Sequence, residues 1–174
     1  MTQPLHTVRQ LGYFVSDLDE ALKYWTEVLK VGPFFKMENA ALDNQVYRGD
    51  PGNVELTLAL GNSGNVQIEL IQQLNDVPSV YKEFADAGRV GLHHFGLMPV
   101  DYQSTRQQYI DLGHKAVLEC TLADAPLVYF DTVDTIGHYT ELWDNNDFYK
   151  DMFMEIENAA KDWDGKEPVR NWEG

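Results

Sequence analysis

Residues 10–25 of the chain read QLGYFVSDLDEALKYW, and this stretch predicts a strand followed directly by a helix. Its first part belongs to residues 8–15, an aromatic and β-branched run that is typical of a mostly buried strand. Asp17 followed three residues later by Glu20 is a capping-box pattern, which marks the first turn of a helix. Apolar residues then recur at helical spacing, so we expect a helix over residues 18–30.

The same order of patterns returns further along the chain, where residues 94–109 read HFGLMPVDYQSTRQQY. A strand-like run again gives way to an Asp and to an amphipathic helix that ends at a Gly. A single register of 84 positions aligns four pairs of residues: Gln10 with His94, Gly12 with Gly96, Asp17 with Asp101, and Trp25 with Tyr109. A fixed internal period indicates a duplicated structural unit, so the sequence predicts two copies of one module.

Three strand-like runs follow each predicted helix, which gives each module the order strand, helix, three strands. The runs are residues 34–37, 54–60 and 66–72 in the first copy, and residues 116–118, 127–133 and 138–143 in the second. Both copies close with a glutamate in mid-strand, Glu69 in the first and Glu141 in the second. The expected fold class is therefore α/β (α+β).

The remaining segments complete the expected domain organisation. Module one is assigned to about residues 6–75, a linker helix to about 77–88 and module two to about 91–144. Residues 145–174 predict a C-terminal helix, which we expect to pack outside the sheet, and a polar tail. A chain of 174 residues falls in the size range of one domain, so residues 1–174 are expected to form a single one.

Charge and composition narrow the classes of partner. The formal net charge is −15, from 28 acidic against 13 basic residues, and such a surface repels nucleic-acid phosphates and anionic lipid heads. Cys120 is the single cysteine, and the N-terminal residues lack the pattern of a secretory signal, so a cytoplasmic location is expected. We expect a small-molecule substrate and a homodimer, with neither nucleic acid nor a membrane as partner.

Glu69 and Glu141 carry the functional prediction. Alternate side chains of a strand share a face, which places Glu69 with Ile71 and Glu141 with Trp143 among residues that the pattern predicts to be buried. A charged group in such a place is normally paired or coordinates a metal. The two glutamates are therefore candidate metal ligands.

Gln10 and His94 occupy equivalent positions in the first strands of the two modules. A pseudo-two-fold axis between the modules would bring both to the point where Glu69 and Glu141 meet. One amide oxygen, one imidazole nitrogen and two carboxylates suit Zn, Ni, Co, Mn or Fe(II) in an open octahedral site and disfavour Cu(I). The plainer alternative is that Gln10 and His94 only hydrogen-bond within a core.

Four motifs carry a family resemblance: residues 10–25, VQIEL at 66–70, LHHFG at 92–96 and HYTEL at 138–142. With them the chain resembles the vicinal oxygen chelate superfamily, which groups glyoxalases, bleomycin-resistance proteins and extradiol dioxygenases. Within that superfamily it is most similar to methylmalonyl-CoA epimerase-like and glyoxalase-like proteins. The resemblance implies two tandem βαβββ modules that form a curved mixed sheet around a central cavity with a divalent metal ion.

The residue at position 10 separates branches of this superfamily. The resemblance implies His there in epimerases of this kind and Gln in eukaryotic-type glyoxalase I, so Gln10 keeps a ligand type that the superfamily uses. An extradiol dioxygenase of this superfamily typically needs two His and one Glu as iron ligands, whereas here His94 is the only histidine at a ligand position. The other four histidines are expected to be structural or on the surface: His6, His93, His114 and His138. Strand alternation should point His93 and His138 away from the metal face.

The expected chemistry is proton transfer α to a carbonyl, through an enolate that the metal stabilises as a Lewis acid, with Glu69 and Glu141 as candidate bases. This covers isomerases, epimerases and glyoxalase-type lyases. Few cationic residues lie near the inferred cavity, Arg9, Arg48 and Arg89 being the candidates, which favours a small, fairly apolar substrate.

The alternative is a non-catalytic, antibiotic-type binding protein of the same fold. The candidate wall of the cavity is aromatic and apolar: Phe14, Phe34, Phe35, Tyr47, Met98, Tyr139 and Trp143.

Overall fold

The first half of the chain forms one strand, one helix and five further strands in the computed structural model, which describes residues 7–172. The elements are β1 (Val8–Phe14), α1 (Leu18–Lys23), β2 (Phe34–Met37), β3 (Leu42–Tyr47), β4 (Asp50–Pro51), β5 (Leu56–Ser63) and β6 (Val66–Gln73). Asp17 caps α1 by accepting a hydrogen bond from the Glu20 N–H, as the capping pattern predicts. A π-helical segment, Tyr24–Val28, continues α1.

The second half repeats this order behind a connecting helix. Its elements are α2 (Val80–Asp86), β7 (Gly91–Leu97), α3 (Tyr102–Asp111), β8 (Lys115–Leu122), β9 (Ala125–Asp131), α4 (Val133–Ile136), β10 (Tyr139–Trp143), α5 (Asp147–Ala160) and β11 (Val169–Asn171). Asp101 caps α3 through the Ser104 N–H, the same contact that Asp17 makes at the start of α1. The expected polar tail thus contains a strand, β11, which pairs with β2.

One mixed sheet contains the eleven strands of residues 7–172, in the order β11-β2-β5-β6-β1-β7-β10-β9-β8-β3-β4. Within each module the first strand pairs in parallel with the last, β1 with β6 and β7 with β10. An antiparallel pairing of β1 with β7 joins the modules at the centre. The predicted fold of two βαβββ modules in a curved mixed sheet is confirmed.

The hairpin of β3 and β4 closes the sheet on itself. It belongs to the first half of the chain, yet β3 pairs with β8 at the far edge of the second module, with Leu42 opposite Leu122. Only residues 38–41 separate β2 from β3, so the two edge regions of the sheet must approach each other. The concave face therefore encloses an interior. Sequence patterns did not predict this hairpin.

Helix α5 lies on the concave face, so the expectation that it packs outside the sheet is wrong. Its buried residues Tyr149, Met152 and Phe153 belong to the same apolar cluster as Leu58 and Trp143. The outer faces of the sheet are already covered, because α1 and α3 each pack on their own smaller cluster. The concave face is the large apolar surface that remains for an amphipathic helix.

The described part of the chain has no helix with the length and apolar character that crossing a membrane requires.

Replacing Phe153 by Ala tests the position of α5. Phe153 is buried and lies under the Arg9 guanidinium, 5.3 Å from its ring centroid, so Phe153→Ala is expected to lower the free energy of unfolding by about 3–5 kcal/mol. Met154 follows it on the exposed side of the same helix, and Met154→Ala should change stability by less than about 0.5 kcal/mol. Urea denaturation measures both. Equal effects would contradict the packing of α5 against the concave face.

Candidate metal centre

Two β-bulges lie where β1 and β7 pair, one in each strand. Val8 is opposite Leu97 and Gln10 is opposite Gly96, which leaves Arg9 as the extra residue of β1. Gly12 is opposite His94 and Tyr13 is opposite Leu92, which leaves His93 as the extra residue of β7. Since Arg9 and His93 correspond in the 84-residue register, the duplication extends to the irregularities of the backbone.

The bulge in β7 brings two consecutive histidines to the concave face. His93 and His94 are both fully buried, and their Nδ1 atoms lie 3.2 Å apart, which residues on opposite faces of a regular strand cannot reach. The expectation that His93 points away from the metal face is therefore wrong, because it assumed regular alternation. His138 packs against Phe95 on the other face.

The structure brings together all four predicted ligand residues. The Nε2 atom of His94 lies 3.0 Å from Gln10 Oε1, 3.2 Å from Glu69 Oε2 and 3.1 Å from Glu141 Oε2. All four side chains are buried, and Glu69, His94 and Glu141 offer ligand atoms within 4.8 Å of one another. The Gln10 amide donates to Gln67 Oε1 at 2.7 Å, which directs its own oxygen toward His94.

Two glycines make space for this arrangement. A Cβ atom at Gly12 would lie 1.9 Å from Cε1 of His94, so any side chain at position 12 would displace the imidazole ring. Gly96 is its counterpart in the second module, and a Cβ there would lie 2.0 Å from the Trp143 ring. The correspondence of Gly12 with Gly96 in the sequence register thus has a steric reason, because each glycine leaves space for a ring on the concave face.

The hydrogen bonds of the site are incomplete. An imidazole Nε2 carries at most one hydrogen, yet three oxygen atoms face that of His94. Glu69 Oε2 and Glu141 Oε2 are buried and make ion-pair contact with His94 but accept no hydrogen bond of good geometry. Buried carboxylate oxygens normally have such partners. A divalent cation among the four side chains would satisfy all of them, so the residues present fit a metal ion.

Burial and mutual charge perturb the ionisation of the site. Burial raises the pKa of Glu69, an effect that His94 opposes and Glu141 reinforces. Burial alone would lower the pKa of His94, but the carboxylates of Glu141 and Glu69 outweigh it and raise that pKa to about 9. In the absence of a metal ion, the imidazole is thus protonated at neutral pH. A metal ion would replace this proton as the positive charge between the carboxylates.

A cavity of about 40 Å³ adjoins three of the four side chains. Gln10, Glu69 and Glu141 lie on its wall, with leucines from β5, β8 and β9 and with Tyr149, Met152 and Phe153 of α5. A cavity of this size holds about three waters. Helix α5 therefore fills most of the space beneath the curved sheet.

Of the seven predicted wall residues, Trp143 lines this cavity and the other six do not. Phe34 lies under α1 on the outer face, and Phe35 contacts Trp172 of the C-terminal segment. Phe14 packs against Phe84 of α2, and Met98 is fully buried just after β7. Tyr47 and Tyr139 each donate a hydrogen bond to Glu83 of α2.

Sequence patterns missed most of the cavity wall, including Tyr81 of α2, Tyr129 of β9, and Met152 and Phe153 of α5. The helical spacing of Tyr149, Met152, Phe153 and Ile156 was a signal that α5 has a buried face. Such spacing gives no information about which surface covers that face.

The chain matches one protein-family model. Residues 9–125 match the model of the Glyoxalase/Bleomycin resistance protein/Dioxygenase superfamily, and the chain belongs to this superfamily. The predicted family resemblance is thereby confirmed. No curated protein matches the chain in sequence.

Solved structures of the same fold include two epimerases. Methylmalonyl-CoA epimerase from Mycobacterium tuberculosis is 19% identical with a TM-score of 0.58, covering 87% of this chain and 95% of its own. A variant of the Streptomyces coelicolor epimerase in complex with 2-nitronate-propionyl-CoA is 18% identical with a TM-score of 0.55, covering 81% and 98%. A hypothetical protein from Bacillus halodurans is 15% identical with a TM-score of 0.58, covering 81% and 95%. At these identities, the similarity shows a common fold.

The steric role of Gly12 gives a test of the site that leaves all four candidate ligands in place. Gly12→Ala is expected to displace the His94 ring and to weaken Co(II) binding about 100-fold, the upper end of the effect of misorienting a ligand. The absorption of bound Co(II) measures the affinity, and circular dichroism verifies the fold. Gly52→Ala is the control, because its added Cβ would lie 3.3 Å from the Gln45 side chain, which needs to shift by only a few tenths of an ångström. Unchanged Co(II) affinity in Gly12→Ala would refute the assignment of His94 as a ligand.

Proposed function

We propose that the protein is a metal-dependent isomerase or epimerase, or a glyoxalase-type lyase, that moves a proton at the carbon α to a carbonyl group. The proposed substrate is small and fairly apolar. The observation that carries the proposal is the convergence of Gln10, Glu69 and Glu141 oxygens on Nε2 of His94, with both carboxylates lacking a complete set of hydrogen bonds. Membership of the superfamily supports the same reading.

Gln10, Glu69, His94 and Glu141 would hold the metal ion. Three oxygen donors and one nitrogen donor are compatible with Zn, Ni, Co, Mn or Fe, and the donor set does not select among these ions. When bound, a divalent ion supplies Lewis-acid stabilisation for negative charge that develops on a carbonyl oxygen.

Glu69 and Glu141 are the proposed bases. Both line the cavity, so their carboxylates can contact a molecule bound there. Burial raises the pKa of Glu69, which makes this carboxylate a better proton acceptor at neutral pH. Tyr81 and Tyr129 line the same cavity and share a hydrogen bond of 3.1 Å between their hydroxyls. Burial raises the pKa of both phenols well above the usual value, so they stay protonated. Tyr81 donates its hydrogen to Tyr129, which leaves the Tyr129 hydroxyl able to donate to a substrate oxygen.

The size and lining of the cavity support a compact substrate. Its volume of about 40 Å³ accommodates only a few non-hydrogen atoms while α5 is in place, and leucines form much of its wall. The Streptomyces coelicolor epimerase was solved with a CoA derivative. For the present chain, a ligand of that size would have to displace the side chains of α5, so we propose a small carbonyl compound instead.

A non-catalytic binding protein is the second candidate, and the apolar wall of the cavity favours it. Sequestration of an apolar ligand gives no reason for two buried carboxylates beside a histidine. Their presence is the reason to prefer the enzyme, and metal-dependent chemistry distinguishes the two candidates.

Solvent exchange of α-protons tests the proposed function. The metal-loaded protein is expected to catalyse deuterium incorporation from D₂O into one or more members of a panel of small ketones and aldehydes, followed by NMR. Glu141→Gln should lower the exchange rate by about 10²–10⁴-fold, because the amide cannot accept the proton. Glu55→Gln, at an exposed position, is the matched control and should retain full exchange. Absence of metal-dependent exchange across the panel would favour the binding protein.

A further inference from the structure

His93 lies beside the candidate metal centre without offering an atom to it. Its ring is fully buried, with Nδ1 at 3.2 Å from Nδ1 of His94 and Nε2 at 3.3 Å from the Val80 carbonyl oxygen. Neither the proposed ligand set nor the proposed bases include it. The position of its two nitrogens nevertheless determines the hydrogen positions on His94.

The hydrogen-bond pattern of His93 follows from the chemistry of its partners. A carbonyl oxygen can only accept, so the hydrogen of a neutral His93 is on Nε2 and is donated to Val80. The lone pair of the ring is then on Nδ1, facing Nδ1 of His94. His94 must supply the hydrogen of that contact, which gives it an Nδ1–H. Its Nε2 faces the oxygens of Gln10 and the two glutamates.

A charged His93 would reverse this pattern, but its surroundings disfavour it. Within residues 7–172, its hydrogen-bond partners are His94 and Val80, and neither is an acid. Its ring stacks on Tyr81 with centroids 4.8 Å apart and lies 5.0 Å from Phe84. A buried charge without an acidic partner is costly, so the neutral ring is the form that fits this environment.

We propose that His93 is a positioning residue that keeps a hydrogen on Nδ1 of His94, so that Nε2 is the nitrogen that the metal ion takes. The inference rests on the proposed metal centre and adds to it a residue that acts on the ligand from outside the coordination shell. A hydrogen bond to the distal nitrogen of a ligating histidine fixes its orientation and raises its basicity. The β-bulge is what makes this contact available, because it places His93 and His94 on the same face.

The ring of His93 is itself held in place. Tyr81 stacks on it at an interplanar angle of 23°, Phe84 contacts it edge-on, and Tyr139 lies 4.9 Å away between centroids. Rotation of the His93 ring would break the contact with the Val80 carbonyl as well as these aromatic contacts. The acceptor for His94 is therefore fixed before any metal ion binds, and the same Nδ1–H is present in the metal-free and metal-bound protein.

Two substitutions separate the acceptor function of His93 from its packing. His93→Phe fills a similar volume but has no acceptor, and it is expected to weaken Zn²⁺ binding about 10–100-fold in a competition assay with a chromogenic chelator. His93→Asn retains an oxygen near the position of Nδ1, and its affinity should stay within about threefold of the wild type. Because Asn leaves a larger packing defect than Phe, a purely structural role for His93 predicts the opposite order. Equal affinities of the wild type and His93→Phe would overturn the proposal.

A second measurement needs no metal ion. In ¹⁵N-¹H correlation spectra of the metal-free protein, His94 is expected to show a slowly exchanging hydrogen on Nδ1, which His93→Phe shifts or loses. A wild-type spectrum in which His94 Nδ1 carries a lone pair would overturn the inference. If the proposed metal centre is wrong instead, the wild type will bind no Zn²⁺, while the Nδ1–H signal and its dependence on His93 will remain.

Discussion

The structure depends on one constraint, the meeting of three oxygen atoms and one imidazole nitrogen at a single buried point. Nε2 of His94 lies 3.0–3.2 Å from oxygens of Gln10, Glu69 and Glu141, and one hydrogen cannot serve all of them. Strand duplication supplies the four side chains from equivalent positions, and Gly12 leaves the space that the imidazole ring occupies. A divalent cation among the four side chains would supply the positive charge that one imidazole proton supplies only in part.

The sequence predicted the parts of this arrangement that repeat. The 84-residue register related Gln10 to His94, and strand alternation placed Glu69 and Glu141 on a buried face. Both rules describe regular backbone, so they could not locate the bulge that turns His93 onto the same face as its neighbour. A bulge shifts the alternation by one residue, but β7 is too short and too uniformly apolar and aromatic for that shift to be seen in its sequence, and only the pairing of β1 with β7 makes it visible.

Long-range packing was the other limit of prediction from sequence. The helical spacing of apolar residues in α5 shows that one face is buried but does not identify the covering surface. The same holds for β3, whose partner β8 lies in the other half of the chain, so no local signal marks the pairing. These two elements together reduce the interior to a cavity of about 40 Å³. They set the size of the proposed substrate, whereas the repeated strands set the chemistry.

Anomalous diffraction from crystals grown with one equivalent of Zn²⁺ shows whether the four side chains bind a metal ion. A single strong anomalous peak is expected about 2.0–2.2 Å from Nε2 of His94 and from one oxygen of each of Gln10, Glu69 and Glu141. An interior without a peak, in which the four side chains remain in mutual contact, would contradict the assignment of the metal centre. So would a zinc ion bound only at the acidic surface.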